Sequence, residues 1–170
     1  MSQPLEPRQR DFREAMAQMS AAVSIVTSDG PAGRCGITAT AVCSVTDAPP
    51  TVLVCVNQSS ACNAVFKANG RLCVNVLSAA QEEAARHFAG MTGVAMDERF
   101  ARDAWQAGEG GLPVLEGALA NLQGRIAEAQ EIGTHSVLLV ELDDIRVREE
   151  GDSLVYFSRA FRVVSRDQVA

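Results

Sequence analysis

Gly36-Ile37-Thr38-Ala39-Thr40-Ala41-Val42-Cys43-Ser44-Val45-Thr46-Asp47-Ala48-Pro49-Pro50 is the stretch whose reading decides the fold: a strand-like run studded with small hydroxyl residues and closed by two prolines. Small side chains let a ligand approach the backbone, hydroxyls can hydrogen-bond a phosphate or a ring carbonyl, and the proline pair fixes where the strand stops. The run therefore suits a flat, phosphorylated cofactor. Alternating Thr and Ser also suits an ordinary half-exposed strand, so both readings stand at this point.

Working outward, Ala22-Val23-Ser24-Ile25-Val26-Thr27 reads as a strand, and Ser28-Asp29-Gly30-Pro31-Ala32-Gly33 as the hairpin turn that pairs it with the hydroxyl-rich strand. Before it, Phe12, Ala15, Met16 and Met19 recur at helical spacing, which predicts a helix over 11–19 packing its apolar stripe on the body. Residues 1–10 are expected to be a flexible tail. After it, Thr51-Val52-Leu53-Val54-Cys55-Val56 is nearly all apolar, as a strand covered on both faces would be, and ends at Asn57-Gln58-Ser59-Ser60. A short helix over 61–68, a strand over 71–77 and a capping box at Ser78-Ala79-Ala80-Gln81 opening a helix to Phe88 follow.

Residues 89–114 lose regular pattern around the lone Trp105, and a loop of that length is usually functional or at a subunit contact. Strands return over 118–129, 136–148 and 154–157. Six or seven closely spaced strands with few helices indicate a mainly β, antiparallel barrel rather than alternating β-α-β units. At 170 residues the chain is expected to form a single domain, 1–170, large enough for a core without staples.

Composition excludes several classes. With 47% hydrophobic and 21% charged residues the chain is globular, and no segment is apolar for long enough to span a bilayer. The N-terminal residues lack the apolar core of a secretory leader, so a cytoplasmic location is expected. A net charge of −6 with no basic cluster argues against nucleic acid or an anionic membrane as partner. Five cysteines, an odd number with no C-x-x-C, read as reduced core thiols. His87 and His135 are far apart and flank no cysteine pair, so no metal site is expected. Dinucleotide-binding, P-loop, nucleophile-elbow and zinc-protease motifs are absent, so redox or group-transfer chemistry would have to be carried by a bound cofactor.

The order of segments over about residues 12–161 resembles the short-chain flavin reductase family of split-barrel, FMN-binding enzymes. Its carriers are Phe12-Arg13-Glu14-Ala15-Met16, the run from Gly36 to Thr46, Pro49-Pro50, Cys73-Val74-Asn75-Val76-Leu77 and Gly133-Thr134-His135. Within the family, Ala85-Arg86-His87-Phe88-Ala89-Gly90-Met91-Thr92-Gly93 and Met96-Asp97-Glu98-Arg99-Phe100 look most like the branch of reductase components of 4-hydroxyphenylacetate 3-monooxygenase. The flavin reductases of pyrimidine degradation share Ala41-Val42-Cys43-Ser44-Val45-Thr46-Asp47 and form the alternative.

The resemblance implies a split β-barrel with a few flanking helices, a homodimer, and NADH-dependent reduction of FMN or FAD with delivery of reduced flavin to a separate oxygenase. It implies flavin contacts from Thr38, Ala39, Thr40, Ala41 and Ser44, with the phosphate near Asn57, Ser59 and Ser60. It places the nicotinamide by His135, which need only position the ring, because a hydride passes directly between the two cofactors. Thr134 stands where the family commonly has Asp, and Phe161 where many relatives have Tyr. Arg86 reads either as a phosphate ligand, through its bidentate guanidinium, or as a solvated helix residue. Lys67, Arg13 and Arg159 are weaker phosphate candidates, and Trp105 reads either as a flavin shield or as packing. A non-catalytic flavin carrier or sensor of the same fold is the rival class.

Overall fold

A computed structural model describes residues 5–167. The chain opens with helix α1 (Pro7–Ala17), followed by strands β1 (Ala21–Ala22), β2 (Ser24–Ser28), β3 (Cys35–Ala39), β4 (Val42–Asp47) and β5 (Pro50–Asn57). Helix α2 (Ala61–Asn69), strand β6 (Arg71–Val76), helices α3 (Glu82–Phe88) and α4 (Met96–Ala101), and strands β7 (Trp105–Ala107) and β8 (Pro113–Leu115) come next. Two long strands, β9 (Ala120–Ile132) and β10 (His135–Val147), and a final pair, β11 (Ser153–Phe157) and β12 (Ala160–Val164), complete the described residues.

The main sheet has seven antiparallel strands in the order β3-β2-β6-β9-β10-β5-β4. Its two edge strands, β3 and β4, are consecutive in the chain and separated only by Thr40 and Ala41. Two residues can bridge opposite edges only if the sheet curls until those edges face each other, which makes the sheet a barrel with a split between β3 and β4. On the far side of Ala41 the curl is tied by the Cys55 amide, which donates to the Ala41 carbonyl at 3.0 Å.

The barrel interior is filled by alternate residues of each strand. Val26, Val54, Val56, Leu72, Val74, Leu138 and Val140 form one core, into which α2 inserts Phe66 and Cys62. Ser60 caps α2 by accepting from the Cys62 amide at 3.3 Å, and Gly70, at φ +70°, ends it in the left-handed conformation. A second core of Val23, Ile25, Leu77, Ala84, Ala85, Phe88, Phe100, Leu115 and Leu154 lies where α3 and α4 cover the outside of β2 and β3. β11 pairs with β1 on one side and β12 on the other as a small separate sheet, and Ala21 stands opposite Tyr156.

Several expectations change. The hydroxyl-rich run is two strands, because its middle must cross the split, although β2 and β3 do pair as the turn predicted. The helix expected over 11–19 begins at Pro7, which suits the first turn by its fixed φ, so residues 7–10 are helical; residues 1–4 of the expected tail lie outside the described residues. No residue of α1 is buried, Phe12 is 62% exposed, and Met19, expected in the helix but lying beyond its end, is 61% exposed, so the apolar stripe expected over 11–19 is not buried against the body. β5 is covered on one face only, since Val52, Val54 and Val56 are buried and the residues between them half-buried. Helix α4 and strands β7, β8 and β12 were not anticipated. All five thiols are free, but Cys43 is exposed and Cys55 half-buried, so only Cys35, Cys62 and Cys73 are core residues.

Gly124 is required by the close approach of β9 and β10 beside a bulge at 142–144: a Cβ there would lie 2.2 Å from the Glu141 carbonyl oxygen. Neither backbone can yield without breaking the ladder. Gly124→Ala is expected to cost roughly 1–3 kcal/mol, which lowers the thermal midpoint by roughly 3–10 °C. Calorimetry of the variant checks this, and an unchanged midpoint would show that the strands separate freely at the bulge.

Candidate functional site

The split is where the chain leaves room. A cleft of about 290 Å³ is lined by Ile37, Thr38, Ala39, Thr40 and Ala41 on one side, Cys55, Val56, Asn57 and Ser60 on the other, and Phe88 and Ala89 of the α3 end. Two more hollows adjoin it through the same backbone. One, of about 220 Å³, adds Val23, Met91, Tyr156 and Phe161; the other, of about 290 Å³, adds Met16, Ala17, Met19 and Ala21.

The site therefore has a gradient. Ile37, Val56 and the buried Phe88 make an apolar floor, Ala39, Ala41 and Ala89 keep the walls low, and Asn57 and Ser60 give one end polar groups at the N-terminus of α2. A flat apolar ring with an anionic tail matches this order, since a helix N-terminus favours negative charge. On that donor set and those small walls, the residues present fit a flavin.

The hydroxyls predicted to bind ligand are partly committed within the protein. Thr38 donates its Oγ1 proton to the Ala85 carbonyl at 2.7 Å, fastening α3 to the split. Ser59 donates through both its amide and its hydroxyl to Asn57 Oδ1, at 2.9 and 2.8 Å, and Ser60 Oγ is the α2 cap. What these residues offer a ligand is mainly backbone, a tight turn and a helix end.

Thr38, Ala39, Thr40, Ala41, Asn57 and Ser60 are thus brought together, with Ser59 in the same turn. Ser44 is not: it sits in β4 opposite Val52, beyond the crossing, and does not line the cleft. His135 begins β10, exposed and directly opposite Asn57, one strand from the cleft rim, with its Nδ1 2.9 Å from Thr134 Oγ1. Arg86 lies outside the cleft; its guanidinium pairs with Glu82 at 2.6 Å and stacks over Phe161 at 5.1 Å, so it buttresses a ring of the second hollow. Lys67 is paired to Glu131 and Arg159 to Glu14, while Arg13 lies exposed on α1. Trp105 packs edge-on to Phe88 and tilted against Phe100, with centroids 5.5 and 4.9 Å away, and so supports the floor from behind.

Beside the polar end, Glu131 accepts hydrogen bonds from Lys67 at 2.9 Å, from the fully buried Ser136 hydroxyl at 2.8 Å and from Gln58 at 2.5 Å. These donors, Lys67 foremost, hold the Glu131 carboxyl below the usual carboxylate range. The stabilisation they give is complete above that range and is lost only as pH falls through the lowered value.

Met16, Met19, Phe88, Met91, Tyr156 and Phe161 are lining residues that sequence reasoning did not assign to the flavin. They come from elements far apart in the chain; Met16, Phe88 and Met91 sit in segments that carry the family resemblance and Phe161 at a position compared with it, but none of those signals ties the residue to the flavin.

Comparison with known proteins agrees with this geometry. Residues 16–165 match the family model described as a flavin reductase like domain. The chain belongs to the flavin reductase family. It is 73% identical over 161 residues to the 4-hydroxyphenylacetate 3-monooxygenase reductase component of Pseudomonas aeruginosa, covering 95% of this chain and 94% of that one. It is 48% identical over 155 residues to the FMN reductase (NADH) RutF of Stutzerimonas stutzeri, covering 91% and 88% of the two chains. The solved structure of the NADH:FAD oxidoreductase SgcE6 of Streptomyces globisporus, in complex with NAD and FAD fragments, superposes with a TM-score of 0.87 at 29% identity, covering 99% of this flavin reductase and 100% of that chain.

Thr38→Val separates anchoring from ligand contact, because it removes the hydroxyl and keeps the shape. It is expected to lower unfolding free energy by roughly 1–2 kcal/mol while flavin affinity stays within about threefold. Denaturant unfolding beside a flavin titration reads both, and a large loss of affinity at unchanged stability would contradict the anchoring role.

Proposed function

We propose that this chain is an NADH-dependent flavin reductase that passes a hydride to FMN or FAD and supplies reduced flavin by diffusion to a separate oxygenase, specifically 4-hydroxyphenylacetate 3-monooxygenase. The observation that carries the activity is the graded cleft at the barrel split, apolar at Ile37, Val56 and Phe88, low-walled along 39–41 and polar at Asn57 and Ser60. The identity of the oxygenase rests on the 73% match to a reductase component of that system, against 48% to the FMN reductase.

Flavin, when bound, supplies the two-electron acceptor. The chain's own residues bind and orient. The backbone of Thr38, Ala39, Thr40 and Ala41 would hold the ring, Phe88 and Ile37 would keep the floor dry, and Asn57, Ser59, Ser60 and the α2 N-terminus would take the phosphate. His135, across from Asn57, positions the nicotinamide, and Ser44 and Arg86 act at most at the margin of the flavin site. NADH gives a hydride and water the accompanying proton, so no side chain has to titrate for the reaction. NADH is preferred over NADPH because the acidic chain offers no basic cluster for a 2′-phosphate.

The whole chain acts as one domain, and the working unit is a homodimer. What supports the dimer is uncovered apolar surface: Phe12 and Met16 on α1 with Met19 just after it, and Val45, Ile132, Ile145 and Val147 on β4, β9 and β10. A cytoplasmic location is supported by five unpaired cysteines, and no helix among the described residues is long and apolar enough to cross a membrane.

The test is loss of NADH absorbance by the purified protein with and without added flavin. Oxidation is expected to depend on, and saturate with, FMN or FAD; flavin binding without oxidation would leave only a carrier or sensor. His135→Ala is expected to raise the KM for NADH roughly tenfold with flavin affinity within about twofold. Collapse of flavin affinity instead would remove His135 from the nicotinamide side.

A further inference from the structure

The turn that carries His135 is gripped from the flavin side by one residue. Gln58 donates its backbone N–H to the Thr134 carbonyl at 2.9 Å. Its side-chain amide donates to the carbonyls of Gly133 and His135, both at 3.3 Å, and to Glu131 at 2.5 Å. Three consecutive carbonyls of the β9–β10 turn thus face a single residue of the turn between β5 and α2. Gly133, at φ +58°, provides the sharp reversal that points them there.

Glu131 fixes Gln58 in turn. Its carboxylate takes Lys67 from α2 and Ser136 from β10, and the buried Ser136 Oγ accepts from Asn63 Nδ2 at 2.9 Å. Asn63 itself reaches back to the Val56 carbonyl at 3.2 Å. The chain of bonds closes: β5, the 57–60 turn, α2 and the His135 turn form one braced unit. Charge-assisted bonds of this kind are roughly twice as strong as neutral ones and hold geometry accordingly.

We propose that Gln58, held by Glu131, is a positioning residue for hydride transfer, setting where His135 stands relative to the turn that takes the flavin phosphate. The inference rests on the reading of His135 as the nicotinamide-positioning residue. Gln58 touches neither reacting ring. Its effect passes through the backbone of 133–135, so it fixes the distance between the two ligands' sites. A hydride passes only at close contact, so a loosened turn lowers productive NADH binding while the flavin cleft keeps its walls.

Gln58→Ala and Glu131→Ala are compared with the conservative Glu131→Gln, which keeps an acceptor oxygen, and each is also made in a His135→Ala background. With purified enzyme, NADH and saturating FMN, both alanine variants are expected to raise the KM for NADH on the order of tenfold. Flavin affinity should stay within about twofold and Glu131→Gln should recover most of the loss. In the His135→Ala background Gln58→Ala should add nothing further, because there is no imidazole left to misplace. Three results overturn the inference: an unchanged KM for NADH, a parallel loss of flavin affinity and thermal stability, or a full additional effect without His135. If His135→Ala alone leaves the KM for NADH unaltered, the reading of His135 fails first, and this inference with it.

Discussion

Everything in this molecule depends on the crossing at Thr40-Ala41. The barrel's first and last strands are neighbours in sequence and opposite edges in hydrogen bonding, so the chain must step over the gap in two residues. That step cannot be paired on both sides. An exposed sheet edge is normally protected from other strands by a cover or a charge; here a ligand-sized split is left, bounded by small residues and by the end of α3. The gap is a consequence of the topology, and the candidate site is the gap.

Anchors around the split keep it open and shaped. Thr38 is tied to α3 through Ala85, Ala41 to β5 through Cys55, and the aromatic trio of Phe88, Phe100 and Trp105 backs the floor. Gly36 is small because a Cβ would lie 2.7 Å from the Phe88 ring that lines the cleft. The polar end is built separately, by the α2 cap and the Gln58–Glu131 brace. Apolar and polar ends therefore rest on different elements, which lets a substitution at one leave the other intact.

The fold class was legible in the sequence because alternation, turn chemistry and the Ser78 capping box are local signals, and each appears where expected. The interruption of the hydroxyl-rich run was not legible. Nothing in Ala39-Thr40-Ala41-Val42 breaks a strand; the break comes from closure of the sheet, which is a long-range constraint. The exposed stripe of α1 was likewise invisible, since helical periodicity says which face is apolar and not what covers it. The residues of the interrupted strand that line the cleft, Thr38 to Ala41, were singled out through the family resemblance. Tyr156, Met16 and Gln58 were not singled out, because contacts between elements distant in the chain bring them to the hollows and to the His135 turn.

The central claim is that flavin occupies the split beside Ala41, an exposed residue shared by two of the adjoining hollows. Ala41→Phe places a ring in that space without touching the core. Titration of FMN fluorescence against the native protein and this variant is the direct measurement. The account predicts saturable quenching with one flavin per chain for the native protein, and at least roughly tenfold weaker binding for a variant that melts at the same temperature. Equal affinity in the two proteins would place the flavin elsewhere and contradict the account.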